Sequence, residues 1–132
     1  MRRTITMLFT AAVLSLPVAN TAAAAVKAKV VIRKFTGAAY QADRFGTLQV
    51  VITVKKTTVR EKVTRKITAI SVPVYPEHTG RSLYISENAI PILRSEALRA
   101  QSAHVDLVSG ATYTSDAFAG SLQSAILKAK RA

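Results

Sequence analysis

The segment His104-Val105-Asp106-Leu107-Val108-Ser109-Gly110-Ala111-Thr112-Tyr113-Thr114-Ser115 gathers the Ser and Thr hydroxyls of Ser109, Thr112, Thr114 and Ser115 around one glycine, directly ahead of a helical pattern. If a helix starts at Ser115, its unpaired N–H groups and positive dipole end meet these hydroxyls. That combination suits a phosphate group. Gly110 lets the backbone approach an anion or take a positive φ, and Ala111 leaves space beside it. The same composition also serves a plain capped turn between two helices.

The elements that must position this segment can be read around it. Downstream, Phe118, Leu122, Ala125 or Ile126 and Ala129 form one stripe of a helix over Ser115 to Lys130, with Ser115 as N-cap and Asp116 in the first turn. Upstream, Ser82 or Ser86 is a candidate cap for a helix running toward Gln101, with Ile90, Leu93 and Ala97 near helical spacing. Pro91 predicts a break, with one short helix ending near Ala89 and a second starting at Pro91. Before these, Lys29–Phe35 and Ile67–Tyr75 are β-branched runs. Thr47–Lys56 alternates cleanly, with Leu48, Val50, Ile52 and Val54 on one face. The cation-rich Lys55–Lys66 stretch is either a connection or the extended ends of two long strands. The expected fold is α+β, a small antiparallel sheet of three or four strands packed against helices.

A chain of 132 residues, 49% hydrophobic and 20% charged, fits one globular domain and excludes intrinsic disorder. Lys and Arg outnumber Asp and Glu by 19 to 7, which predicts anionic partners. Zero cysteines exclude disulfides, thiolate metal ligands, cysteine nucleophiles and lipid attachment at an N-terminal cysteine. Met1-Arg2-Arg3, an apolar run from Ile5 to Ala19 and small residues up to Ala25 have the layout of a signal peptide over residues 1–25. Cleavage after Ala23, Ala24 or Ala25 is expected, leaving a domain over residues 26–132 in an exported protein, secreted or in the cell envelope. An uncleaved anchor is the competing reading, because no charge stands between Arg3 and Lys27.

The run Asp106-x-x-Ser109-Gly110-Ala111-Thr112-x-Thr114 resembles the flavinylation motif of the FMN-binding domain family, found in a membrane NADH:quinone oxidoreductase subunit and in extracytoplasmic flavoproteins. Ala89–Leu93, Ala100–Ala103 and Ser121–Ala125 are similar to flanking pieces of small members of that family. The resemblance implies an electron-transfer domain rather than an independent enzyme. It also implies a flavin transferase that moves FMN from FAD onto a threonine hydroxyl and releases AMP. The position of the motif assigns that hydroxyl to Thr114, with Thr112 as fallback. Ser109, Gly110, Ala111 and Thr112 are then expected to cradle the phosphate, and Asp106 to aid recognition or fix the turn by accepting N–H bonds. Tyr113 is a candidate for stacking on the flavin, or else an anchor. An upstream Glu-Thr-Pro-Gly type segment of larger members is only partly kept in Glu77-His78-Thr79-Gly80-Arg81.

Other residues carry blander expectations. His78 and His104 have no companions at metal-ligand spacing and read as solvated, so no metal site is expected. Phe35, Tyr40 and Phe45 read as core or turn-packing residues. The Lys55–Lys66 run has no aromatic for base stacking, so no nucleic acid is expected; a solvated basic face that steers an acidic redox partner fits better. Acidic residues are too sparse to nominate a paired acid and base. Two alternatives to the flavin carrier remain, a basic envelope-binding module without flavin and an electron-accepting subunit of a larger membrane oxidoreductase.

Overall fold

The computed structural model describes residues 27–132; the expected signal peptide lies outside the described residues. The elements run β1 (Lys29–Thr36), β2 (Tyr40–Gln41), a 3-10 turn (Asp43–Phe45), β3 (Thr47–Val59), β4 (Lys62–Val74), α1 (Gly80–Ala100) and α2 (Thr112–Arg131). This is the α+β fold expected, with four strands, all antiparallel. Central β3 pairs with β1 and then β2 on one side and with β4 on the other.

Strict alternation in β3 puts Leu48, Val50, Ile52 and Val54 on the buried face, where both helices pack. The Lys55–Lys66 stretch turns out to be the outer half of a long β3–β4 hairpin, closed by Arg60 and Glu61 at φ 47° and 67°. Positive φ at both central positions matches the right-handed twist of the strands, although neither residue favours it. In β4 the register slips by one residue between Ile67 and Ala69, which leaves Thr68 unpaired to a residue of β3. That bulge places Ile67 and Ile70, three apart in sequence, on the same buried face. A second slip falls at Val72-Pro73, where the missing proline N–H costs no ladder bond.

α1 is one helix, not two. Pro91 lies inside it and is exposed, while Ala89, Ile90 and Leu93 on either side of it are buried. Packing of that shared face outweighs the loss of one helical hydrogen bond, and the freed carbonyl side faces solvent. The cap is also neither serine expected. Thr79 Oγ1 accepts from the Ser82 backbone N–H at 3.0 Å and lies 2.7 Å from the Ser82 hydroxyl, while Ser86 bonds the Pro76 carbonyl.

α1 covers the free edge of β4. Gln101, left-handed at φ 53°, accepts from the Ile67 N–H at 2.8 Å and donates back to the Ile67 carbonyl at 3.0 Å, and Arg94 Nε donates to the Ile70 carbonyl at 2.9 Å. These bonds close backbone groups that an open edge leaves to chance. The core side of α2 behaves as its stripe predicts, with Phe118, Leu122, Ala125 and Ala129 buried against β3. It is also pinned by polar groups: Ser121 Oγ accepts from Val50 N at 2.8 Å, and Lys128 Nζ donates to the Thr36 carbonyl at 2.7 Å. A Cβ at Gly37 would strike the Ser121 backbone, and one at Gly120 would meet the Tyr40 ring, so two glycines set how closely the helix sits.

Candidate functional site

The helix after the hydroxyl-rich segment starts earlier than the sequence suggested. α2 begins at Thr112, so Thr112, Tyr113 and Thr114 form its first turn, and Asp116 falls beyond that turn. Ser115 is not the cap. It is fully buried; its hydroxyl accepts from the Val108 N–H at 3.0 Å and donates to the Ala111 carbonyl at 2.7 Å. One side chain thereby ties both ends of the Val108–Ala111 turn to the helix.

Within that turn the Ala111 N–H reaches the Val108 carbonyl at 2.9 Å, and Gly110 holds φ +80°. A positive φ at the third position of a turn is the reason for glycine here. Nothing lies within 4 Å of a Cβ built on Gly110, so the space beside it is open. The N-cap residue is Ala111, whose side chain has no acceptor, and no side chain caps the helix. The start of a 20-residue helix is left with its donors unclaimed by any cap.

Opposite this turn, α1 supplies the other wall of a cleft of about 350 Å³, lined by Arg81, Tyr84 and Asn88 from α1 and by Ser109, Gly110 and Ala111 from the turn. The volume lies within the usual range for small-molecule sites. Tyr84 is 68% exposed, its ring uncovered by the rest of the protein. Arg81 brings a cation to a wall that faces an uncapped helix start, so the cleft combines positive charge with an exposed aromatic surface. These features fit a phosphorylated aromatic cofactor. Arg81, Tyr84 and Asn88 follow helical spacing along one face, a stripe that could have flagged them in the sequence.

The predicted site residues separate into three groups. Ser109, Gly110 and Ala111 line the cleft together. Thr112 is exposed on the first turn of α2, whereas Thr114, the hydroxyl that the motif position favours, is 2% exposed. Tyr113 packs on Phe45, ring centroids 6.0 Å apart, which makes it an anchor between α2 and the 3-10 turn. Asp106 is exposed, and its own N–H donates to a Glu96 carboxylate oxygen at 3.2 Å. The turn-fixing role expected of Asp106 is performed by Ser115. Of the cations that could have stood near the motif, Arg81 does so, while Arg94 is committed to β4 and Lys56 lies at the far end of α2.

The model of one known family, the FMN-binding domain, matches residues 45–127, which is well over half of the chain and takes in β3, β4, α1 and the hydroxyl-rich turn. No curated protein matches the chain. The cleft is consistent with FMN in size, charge and aromatic surface, and the match extends across every element that builds it. The chain belongs to the FMN-binding domain family and is a flavoprotein domain with FMN as its cofactor.

Proposed function

We propose that this protein is an extracytoplasmic electron carrier whose FMN is held through a phosphoester to Thr114, with Thr112 as the alternative attachment point. The observation that carries the reading is the uncapped start of α2 at the floor of the Arg81–Tyr84 cleft, beside the open backbone of Gly110. When bound, FMN supplies the uptake and release of electrons.

The residues of the chain then have separate tasks. The first N–H groups of α2 and the turn from Ser109 to Ala111 receive the phosphate, favoured by the helix dipole. Arg81 adds positive charge at the cleft and favours anionic forms of a ligand there. The Tyr84 ring offers a surface for a planar group, and the Asn88 side chain is tied to the Tyr84 carbonyl at 2.7 Å, which leaves its amide oxygen as an acceptor. A covalent link suits an exported protein, because reversible binding fails wherever free FMN falls below the Kd.

Two hydroxyls compete for the role of attachment point. The motif position favours Thr114; solvent access in the folded chain favours Thr112. Attachment at Thr114 requires the transferase to act while the first turn of α2 is open. The proposed partners are that transferase and a redox partner, which is membrane-bound if the chain serves as a subunit of a larger oxidoreductase.

The test is intact mass and visible absorbance of the protein exported from cells that contain the transferase. We expect one added FMN phosphodiester, lost in Thr114→Val and kept in both Thr112→Val and Thr114→Ser. Loss in Thr112→Val alone moves the attachment to Thr112. An unmodified, colourless chain refutes the covalent reading and leaves a basic envelope-binding module in its place.

A further inference from the structure

Charge is distributed unevenly between the two ends of the molecule. β1 carries Lys29, Arg33 and Lys34, and the β3–β4 hairpin adds six more cations against a single acid, Glu61. The other acids belong to the 3-10 turn, α1 and its approach, and the segment around the motif. The last turn of α2 contributes Lys128, Lys130 and Arg131 to the basic end.

At that end Lys29, Arg33, Lys56 and Arg65 surround a cavity of about 180 Å³ whose lining includes no acidic side chain. Lys56 Nζ and Arg65 Nη2 already converge on one oxygen, the Ala132 carbonyl, at 3.2 and 3.0 Å. Two cations would suffice to satisfy the end of a helix. Lys29 and Arg33 exceed that need. An aliphatic side chain shares the face of these cations: Val63, opposite Thr58 near the hairpin tip, is 40% exposed, while Val30, 47% exposed, points from the other face of the sheet.

We propose that this basic end docks on an anionic lipid surface. Lipid phosphates occupy the cavity between Lys29, Arg33, Lys56 and Arg65, while Val63 on the same face reaches between headgroups. Cations alone would suit any acidic partner, but an exposed aliphatic side chain set beside them on one face fits an interface with an apolar layer beneath. Docked this way, α2 stands between surface and motif, and its 20 residues span about 30 Å, so the Gly110 cleft faces away from the lipid. The inference is independent of the flavin reading.

The test is co-sedimentation of the protein as isolated from cells, its N-terminus fixed by mass, with vesicles of phosphatidylglycerol and phosphatidylcholine in equal parts and with pure phosphatidylcholine vesicles. At about 0.1 M salt the protein should sediment with the anionic vesicles only, and about 1 M salt should release it. Lys29→Glu with Arg33→Glu, both exposed, should lower partitioning at least about tenfold. Arg44→Glu with Arg81→Glu, the same charge change at the motif end, should lower it far less. Lys29→Gln with Arg33→Gln provides the milder pair if the reversal unfolds the chain. All variants share one N-terminus, so any contribution from residues 1–25 cancels. Equal binding to neutral vesicles, an equal loss from the two charge reversals, or binding to heparin without binding to vesicles would each overturn the proposal.

Discussion

The two helices begin in opposite ways. α1 starts at Thr79, whose hydroxyl takes the Ser82 N–H and meets the Ser82 hydroxyl, so its first turn is closed by its own side chains. α2 starts at Ala111, which offers no side-chain acceptor, although four Ser and Thr hydroxyls stand within four residues of it. Ser115, the cap that the sequence suggests, spends its hydroxyl on Val108 and Ala111. A closed start contributes to stability alone. An open one, whose cap residue has no acceptor, gives up some stability and keeps its donors for a ligand.

That contrast can be broken deliberately. Ala111→Asp would supply the missing cap, worth about 1 kcal/mol, but at a position only 6% exposed, so burial of the carboxylate should offset that gain in the flavin-free chain. Its carboxylate would also repel the FMN phosphate, so flavin incorporation should fall at least about tenfold, read by absorbance per protein. If both stability and incorporation rise, the open start is not the phosphate site. Ser115→Ala should cost about 1–3 kcal/mol in chemical unfolding, because it orphans the Val108 N–H in a part-buried turn. Thr79→Ala is the smaller counterpart, expected to cost about 1 kcal/mol and to leave flavin incorporation unchanged. A loss of flavin in Thr79→Ala would mean that α1's cap, too, serves the cleft.

The readability of the chain followed the range of the forces involved. β3 and the buried stripe of α2 were legible because alternation and helical periodicity are local patterns enforced by one continuous core. The motif was legible as a resemblance, and the cleft formed by Ser109, Gly110 and Ala111 agrees with it. What failed was local preference set against distant contacts. Ser115 has the chemistry of a cap, but its hydroxyl is claimed by a turn that only the folded chain brings beneath it. Pro91 should break a helix, yet Ala89, Ile90 and Leu93 are held on both sides by the core. Thr114 is buried within the first turn of α2 because that helix begins one turn before Ser115, where its capping pattern points. Arg81, Tyr84 and Asn88 were missed as a group because the other wall of their cleft comes from a segment well downstream in the chain.

The unpaired Thr68 is a residue that the β4 ladder can do without. Ile67 and Ile70, three apart, share a face because one odd residue stands between them. Deleting Thr68 would smooth the ladder and keep both isoleucines in the core, two apart and still opposite Val54 and Ile52, at the loss only of the local bend and twist of the bulge. Loss of one residue is therefore tolerated at the bulge, whereas loss of one at a regularly paired position of β4 shifts the register and turns its inward residues out.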